Sequence, residues 1–204
     1  MTTVGVTIPT LDSARTQPPH LKSLRPQPHS CQVLVVDNHL ANSTVSIAEP
    51  LVDRVIFSGP ELFAVRKSGA GVPTTALVGF VDSDMTIAPQ VVAEVVSAVG
   101  PGADAAIVRE RTVGVGYPAS VRSFERSLYV GDGHVEAARF FTRSMFVRLG
   151  GFDEQLHAAE DWDFGIRARD AASVGRRTAT MEHNEGRVTL LGARAAELRR
   201  RPSS

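Results

Sequence analysis

An α/β fold, with a mostly parallel central sheet flanked by helices, is predicted by three features of the chain. Short runs of β-branched and aliphatic residues, at 4–8 and 32–36 above all, read as strands, the second buried on both faces. Segments with helical spacing follow such runs, so strand and helix alternate as in βαβ units. The run Val78-Gly79-Phe80-Val81 then ends abruptly in Asp82-Ser83-Asp84, two carboxylates at i and i+2 that share one face of a strand. The carboxyl ends of central strands are where open α/β sheets keep their ligands, and hard oxygen donors there suit Mg²⁺ or Mn²⁺. The same triplet also fits a polar strand end running into a turn.

The elements follow in order. Val4-Gly5-Val6-Thr7-Ile8 is a first strand closed by Pro9. Residues 10–30, rich in proline (Pro18, Pro19, Pro26, Pro28), predict a loop around one short helix at most. Cys31 starts the second strand as a small buried residue. That strand ends in Asp37-Asn38-His39, side chains that suit ribose hydroxyls or a plain Asx turn equally well. Arg54-Val55-Ile56-Phe57 is a third strand. Ser58-Gly59-Pro60-Glu61 then reads as a helix start, with Arg66 and Lys67 on that helix and Gly69 and Gly71 ending it. Val91, Val92, Val95, Val96 and Val99 recur at helical spacing between Pro89 and the stop at Gly100-Pro101-Gly102. Residues 103–108 form another strand, feeding a charged, glycine-rich passage over 109–116 and then a less decisive helix over 118–130. Residues 134–141 cross the sheet, 142–149 lead into a short helix, and Gly150-Gly151-Phe152-Asp153-Glu154 is a turn. Glu160-Asp161-Trp162-Asp163 is an acidic helix start, and Met181 to Gly186 leads into a Leu/Ala/Arg helix.

Composition narrows the partners. The 204 residues suffice for one substantial core, and 22 basic residues balance 22 acidic ones, so no global charge points to nucleic acid. A single cysteine excludes an internal disulfide framework or a cysteine-rich zinc site. No apolar run reaches the ~18 residues of a membrane span, and the first residues lack the pattern of a signal peptide. The expectation is a soluble, cytoplasmic protein, with peripheral contact at the inner membrane face open to its basic tail at 199–201.

Six short segments stand in an order that resembles the family 2 glycosyltransferases with the GT-A (Rossmann-like) fold, over about residues 3–190. They are Thr7-Ile8-Pro9-Thr10, Val35-Val36-Asp37-Asn38, Arg66-Lys67-Ser68-Gly69, Phe80-Val81-Asp82-Ser83-Asp84, Gly150-Gly151-Phe152-Asp153-Glu154 and Glu160-Asp161-Trp162-Asp163-Phe164. The resemblance implies one domain over 1–190, its nucleotide-binding half about 1–100 and its acceptor-binding half about 101–190, with 191–204 a helix end and tail. It places Pro9, Thr10, Asp37, Arg66 and Asp82 at the nucleotide. Asp84, within a DXD-type motif, and His183 become the seat of a divalent Mn²⁺ or Mg²⁺. Asp161 becomes the general base with Glu160 beside it, and Gly151, Trp162 and Asp163 approach the sugars.

The implied activity is inverting transfer of a sugar from a nucleotide-sugar donor, UDP first with GDP and dTDP open, to an acceptor hydroxyl. The acceptor could be a sugar, a lipid-linked or a small molecule. A non-catalytic nucleotide-sugar-binding module, or a sugar nucleotidyltransferase, would share the carboxylate pair; the latter's basic glycine-rich phosphate loop is missing near the first strand. The chain departs from the family pattern at Leu11-Asp12, at Lys67 and in the proline-rich stretch before Cys31, and these departures bear on the geometry of nucleotide binding.

Overall fold

Seven consecutive buried residues make Val4–Thr10 (β1) the centre of the sheet. In the computed structural model, which describes residues 2–10, 13, 17–37, 44–57, 73–99, 102–132, 136–153, 155–156, 160–171 and 173–187, β1 is paired in parallel on both sides. Cys31–Asp37 (β2) lies on one side and Leu77–Phe80 (β4) on the other, and Arg54–Phe57 (β3) adds in parallel to β2. The chain therefore builds β1, β2 and β3 outward in one direction and returns to place β4 on the opposite flank. The strand order reverses between β1 and β4, and their carboxyl ends open a crevice there.

Beyond β4 the sheet becomes mixed. Phe140–Thr142 (β7) pairs antiparallel with both β4 and Ala105–Val115 (β6). Val174–Arg187 (β8) runs parallel to β6, and Met85–Ile87 (β5) closes the far edge antiparallel to β8. The order is β3-β2-β1-β4-β7-β6-β8-β5. The helices are Gln17–Leu24 (α1), Thr44–Ala48 (α2), Val91–Ala98 (α3), Tyr117–Leu128 (α4), Arg143–Arg148 (α5) and Glu160–Ala171 (α6).

The two sheet faces carry different cores, as a side-chain period of two requires. Val4, Val6, Ile8, Leu77 and Val81 join Leu21, Leu24, Val91 and Val95 on the face covered by α1 and α3. Val78 and Phe80 join Phe141, Phe146, Phe152 and Phe164 on the face covered by α5 and α6. The second core is aromatic: Phe141 meets Phe164 edge-on at 4.7 Å between centroids, and Phe80 meets Phe152 at 4.8 Å. Such contacts fix α6, and with it the acidic residues of its first turn, against the sheet.

The expected strands and the valine helix are present, and the proline-rich stretch holds one short helix as expected, α1, where Pro18 and Pro19 occupy the first turn, a place their missing N–H groups do not disturb. Two differences remain. The charged, glycine-rich passage over 109–116, where the sequence predicts no strand, continues β6 as far as Val115, and its charges are matched across the ladder. Arg111 stands opposite Glu182 in the register and pairs with it. In addition, β5 and the 14 residues of β8 are strands where the sequence predicts no element. Cys31 opens β2 but is only half-buried, and burial pushes its thiol up to about 11. The expected helix after residue 58, with Arg66 and Lys67, and the segment after Arg187 lie outside the described residues.

Within β8 the register against β6 skips Thr178 and Ala179, since Val108 faces Arg177 but Arg109 faces Thr180. The carboxylate of Glu94 on α3 accepts from both skipped N–H groups, at 2.9 Å from Thr178 and 3.0 Å from Ala179. Those bonds, the Ala179 one foremost, hold the Glu94 carboxyl below its usual range.

His20 is fully buried beneath β5, and its Nδ1 donates to the carbonyl of Met85. Burial, against the opposing effects of that bond and of Asp82 and Asp84, lowers its pKa to about 4. The unfolded chain takes up this proton near 6.5 and the folded chain only near 4, so stability falls as pH drops through that window. The expected loss is on the order of 3 kcal/mol. Thermal melts between pH 4 and 7 check it, and His20→Asn, which keeps a donor for Met85, flattens the dependence. Gly79→Ala sets a second test, because a Cβ there would lie 2.5 Å from the Phe140 ring. Overpacking of this kind costs about 1–3 kcal/mol, read as a lower denaturation midpoint.

Candidate active site

The crevice at the strand reversal is built from strand ends. Thr10 faces Asp37 in the β1–β2 register, and its hydroxyl donates to Asp37 Oδ1 at 2.8 Å. Both are buried, with Pro9 inside β1 opposite Val36. After β4, Asp82, Ser83 and Asp84 turn into β5 through the bond from Met85 N to Asp82 O, 3.1 Å. Ser83 Oγ lies 2.7 Å from Ser13 Oγ, which ties this turn to the segment after β1.

Asp84 and His183, 99 residues apart in sequence, meet across the β5–β8 pairing. Asp84 Oδ2 lies 3.0 Å from His183 Nε2, and Asn184 N donates to the Asp84 carbonyl at 2.9 Å. Asp84 Oδ1 is shielded from solvent and has no hydrogen-bond partner among the described residues. Arg126, reaching from α4, lies 2.8 Å from His183 Nδ1. A guanidinium can only donate, so the proton of a neutral imidazole sits on Nε2, facing Asp84. A carboxylate with an unused buried oxygen and an imidazole nitrogen at hydrogen-bond distance fit a divalent cation at this point. Metal ligation at Nε2 would displace its proton. Among the described residues no third His, Cys, Asp or Glu joins them. Mg²⁺ is commonly held by one or two carboxylates together with substrate phosphates, so a small protein donor set suits it.

A cleft of about 380 Å³ adjoins this pair and is lined by Asp82, Asp161, Trp162 and His183, with Glu110, Arg126, Tyr129 and Arg139. Four residues singled out in the sequence thus converge, from β4, α6 and β8. Asp161 stands in the first turn of α6, where its Oδ1 accepts from Trp162 N at 2.9 Å. Trp162 is half exposed at the rim. Asp37, Thr10 and Pro9 sit at the ends of the neighbouring strands, while Arg66 lies outside the described residues.

Three other expected residues take different places. Glu160 is buried at the start of α6 and does not line the cleft. Asp163 is held by Arg167 one turn on, at 2.7 Å, and Arg167 also donates to the carbonyls of Leu149, at 2.8 Å, and Gly151, at 2.9 Å. Gly150 and Gly151, with φ of 78° and 70°, make the left-handed turn that exposes those carbonyls. Asp163 and Gly151 therefore brace the turn against α6, since the Arg167 guanidinium takes both, and neither lines the cleft.

Arg139, Glu110, Arg126 and Tyr129 were not singled out in the sequence. Arg139 is buried at the start of β7, pairs with Glu110 and lies 3.2 Å from Asp82. Burial works against its charge, but Glu110 and Asp82 outweigh it and hold the guanidinium pKa above the usual arginine range. The signal was available: a cation directly before Phe140-Phe141 in a buried strand needs carboxylate partners.

Arg139→Ala is expected to cost about 3 kcal/mol, the lower part of the range for a broken buried pair, because Asp82 and Glu110 retain some solvent access. Denaturant titration reads the loss. The added substitution Glu110→Gln recovers part of it by removing one stranded charge.

No protein-family model and no curated protein matches the chain, whereas solved structures do. The S. aureus TarS 1–349 structure in complex with UDP-GlcNAc superposes with a TM-score of 0.67 at 20% identity, covering 91% of this chain and 59% of that one. The same TarS fragment in complex with UDP gives 0.66 at 19% identity over 90% of this chain. The mannosyltransferase PcManGT from Pyrobaculum calidifontis, in complex with GDP-Man and Mn²⁺, gives 0.69 at 20% identity over 97% of this chain and 60% of that one. The present chain thus spans about 60% of the length of these structures. It shares their fold, a mixed α/β domain with a sheet flanked by helices.

Proposed function

We propose that this chain is the nucleotide-sugar-binding and catalytic domain of a metal-dependent, inverting glycosyltransferase of the family 2, GT-A type. The observation that carries the reading is that Asp82, Asp161 and His183 line one cleft beyond the end of β4, with Asp84 3.0 Å from His183. Further support comes from the fold shared with structures that hold UDP-GlcNAc, UDP, and GDP-Man with Mn²⁺.

In this reading Thr10, Asp37 and Asp82 receive the nucleoside, with the donor half over about 1–100. Asp84 and His183 would hold a divalent cation, which would supply Lewis-acid neutralisation of the leaving diphosphate when bound. Arg126 keeps the His183 ring oriented through Nδ1. Arg139 holds Asp82 in place and keeps its charge paired while the cleft is empty. Asp161 accepts the proton of the acceptor hydroxyl as that oxygen attacks the anomeric carbon, and the single base and in-line attack invert that centre. Trp162 and Tyr129 offer apolar faces at the rim on which an acceptor sugar ring can rest.

Calorimetric titration with UDP, GDP and dTDP, each with Mn²⁺ and with chelator, tests the donor site. One nucleotide should bind in a metal-dependent way, with UDP first in expectation, and Asp84→Ala should abolish that dependence. Asp161→Asn should retain nucleotide binding while transfer falls by about 10²–10⁴-fold. Full transfer activity in Asp161→Asn would remove Asp161 as the base. Absence of binding by every nucleotide to the folded protein would overturn the donor site itself.

A further inference from the structure

Helix α4 is built inside out. Its inward residues are small or charged: Ala119 is buried, Ser123 Oγ donates to the Thr112 carbonyl of β6 at 3.0 Å, Arg122 pairs with Glu185 at 2.5 Å, and Arg126 reaches His183. Its large apolar residues face away from the sheet, with Tyr117 74%, Val121 45%, Phe124 67% and Leu128 65% exposed. A surface helix ordinarily turns such residues inward, and contiguous exposed apolar side chains of this size mark an interaction surface.

The pattern selects the kind of partner. Tyr117, Val121, Phe124 and Leu128 recur at intervals of four, three and four, a heptad seam two turns and more in length. A seam this narrow fits one opposing helix. A helix lying in a lipid interface needs a broad apolar face bordered by Lys and Arg. Here the seam is bordered by Pro118, Ser120, Glu125 and Ser127, and both arginines of α4 are turned inward and engaged with Glu185 and His183. An anionic lipid surface would meet Glu125 and no cation.

The seam also complements itself. An antiparallel pairing about a two-fold axis sets Tyr117 against Leu128 and Val121 against Phe124, aromatic on aliphatic throughout, and Glu125 against Ser120 with no like charges opposed. The exposed apolar side chains amount to on the order of 600 Å² per copy. That approaches the roughly 800 Å² per partner of a standard interface before any flanking contact is added.

We propose that α4 is the two-fold interface of a homodimer. Because the same helix carries Arg126, and Tyr129 and Val130 follow it into the wall of the cleft, the interface lies against the active cleft and steadies the groups that orient His183. The assembly does not rest on the reading of the cleft's chemistry.

Sedimentation equilibrium of the 204-residue chain is expected to give twice the 21.8 kDa mass, and Phe124→Glu to return it to 21.8 kDa with an unchanged circular-dichroism spectrum, since Phe124 projects into solvent. In a Cys31→Ser background, oxidation of mixed Tyr117→Cys and Leu128→Cys chains should yield crosslinked pairs, and neither variant alone should. The 21.8 kDa monomer mass at every concentration tested overturns the proposal. So does a dimer that Phe124→Glu leaves intact, or a monomer that sediments with phosphatidylglycerol vesicles through this helix.

Discussion

Much of the site depends on one buried cation. Arg139 opens β7 between the two halves of the sheet, and its guanidinium takes Asp82 from the end of β4 and Glu110 from β6. The three segments converge because the charges cannot be buried separately. A lone guanidinium at that depth would be strongly disfavoured, and the two partly exposed carboxylates satisfy it. The same residue ties β4 to β6 through its backbone, which accepts from Phe80 N and donates to Ala106 O.

Around that junction the two cores divide the labour. The aliphatic core under α1 and α3 holds the parallel strands whose carboxyl ends present Thr10, Asp37 and Asp82. The aromatic core under α5 and α6 holds the helix that presents Asp161. Asp161 lies three residues before Phe164, whose ring is locked among Phe141, Phe146 and Phe152, so the carboxylate inherits the rigidity of the cluster. Arg167 extends the same arrangement to the Gly150-Gly151 turn.

What could be read in advance follows from how local each signal was. β1, β2, β3, β4 and α3 were legible because apolar runs and a valine stripe declare burial within a few residues. That Asp82, Asp84 and Asp161 stand at the ends of elements was legible from the apolar runs beside them, whereas the meeting of His183 with Asp84, 99 residues apart, was not readable from any local pattern. The outer part of β6 and all of β8 were not, since Arg109-Glu110-Arg111 and Glu182-His183-Asn184-Glu185 are polar in sequence and become a ladder only when each supplies the other's partners. Arg139 with Glu110 and Arg126 with His183 lie 29 and 57 residues apart, and no local pattern links them. The contacts of Gly151 and Asp163 were hidden for the same reason, because the bonds of Arg167 to both form only once α6 docks.

The double bulge at Thr178 and Ala179 sets the phase of everything beyond it. Strand side chains alternate with a period of two, so an insertion of two residues passes along β8 without reversing which face each later residue occupies. Arg109 resumes pairing at Thr180, and His183 arrives on the side of the sheet where Asp84 waits. With one residue fewer, Glu182 or Asn184 would stand in its position, and an imidazole would be exchanged for a carboxylate or an amide. Parity in a stretch with no chemistry of its own thus decides which functional group reaches the cleft, and Glu94, capping both surplus N–H groups, is the residue that keeps the count even.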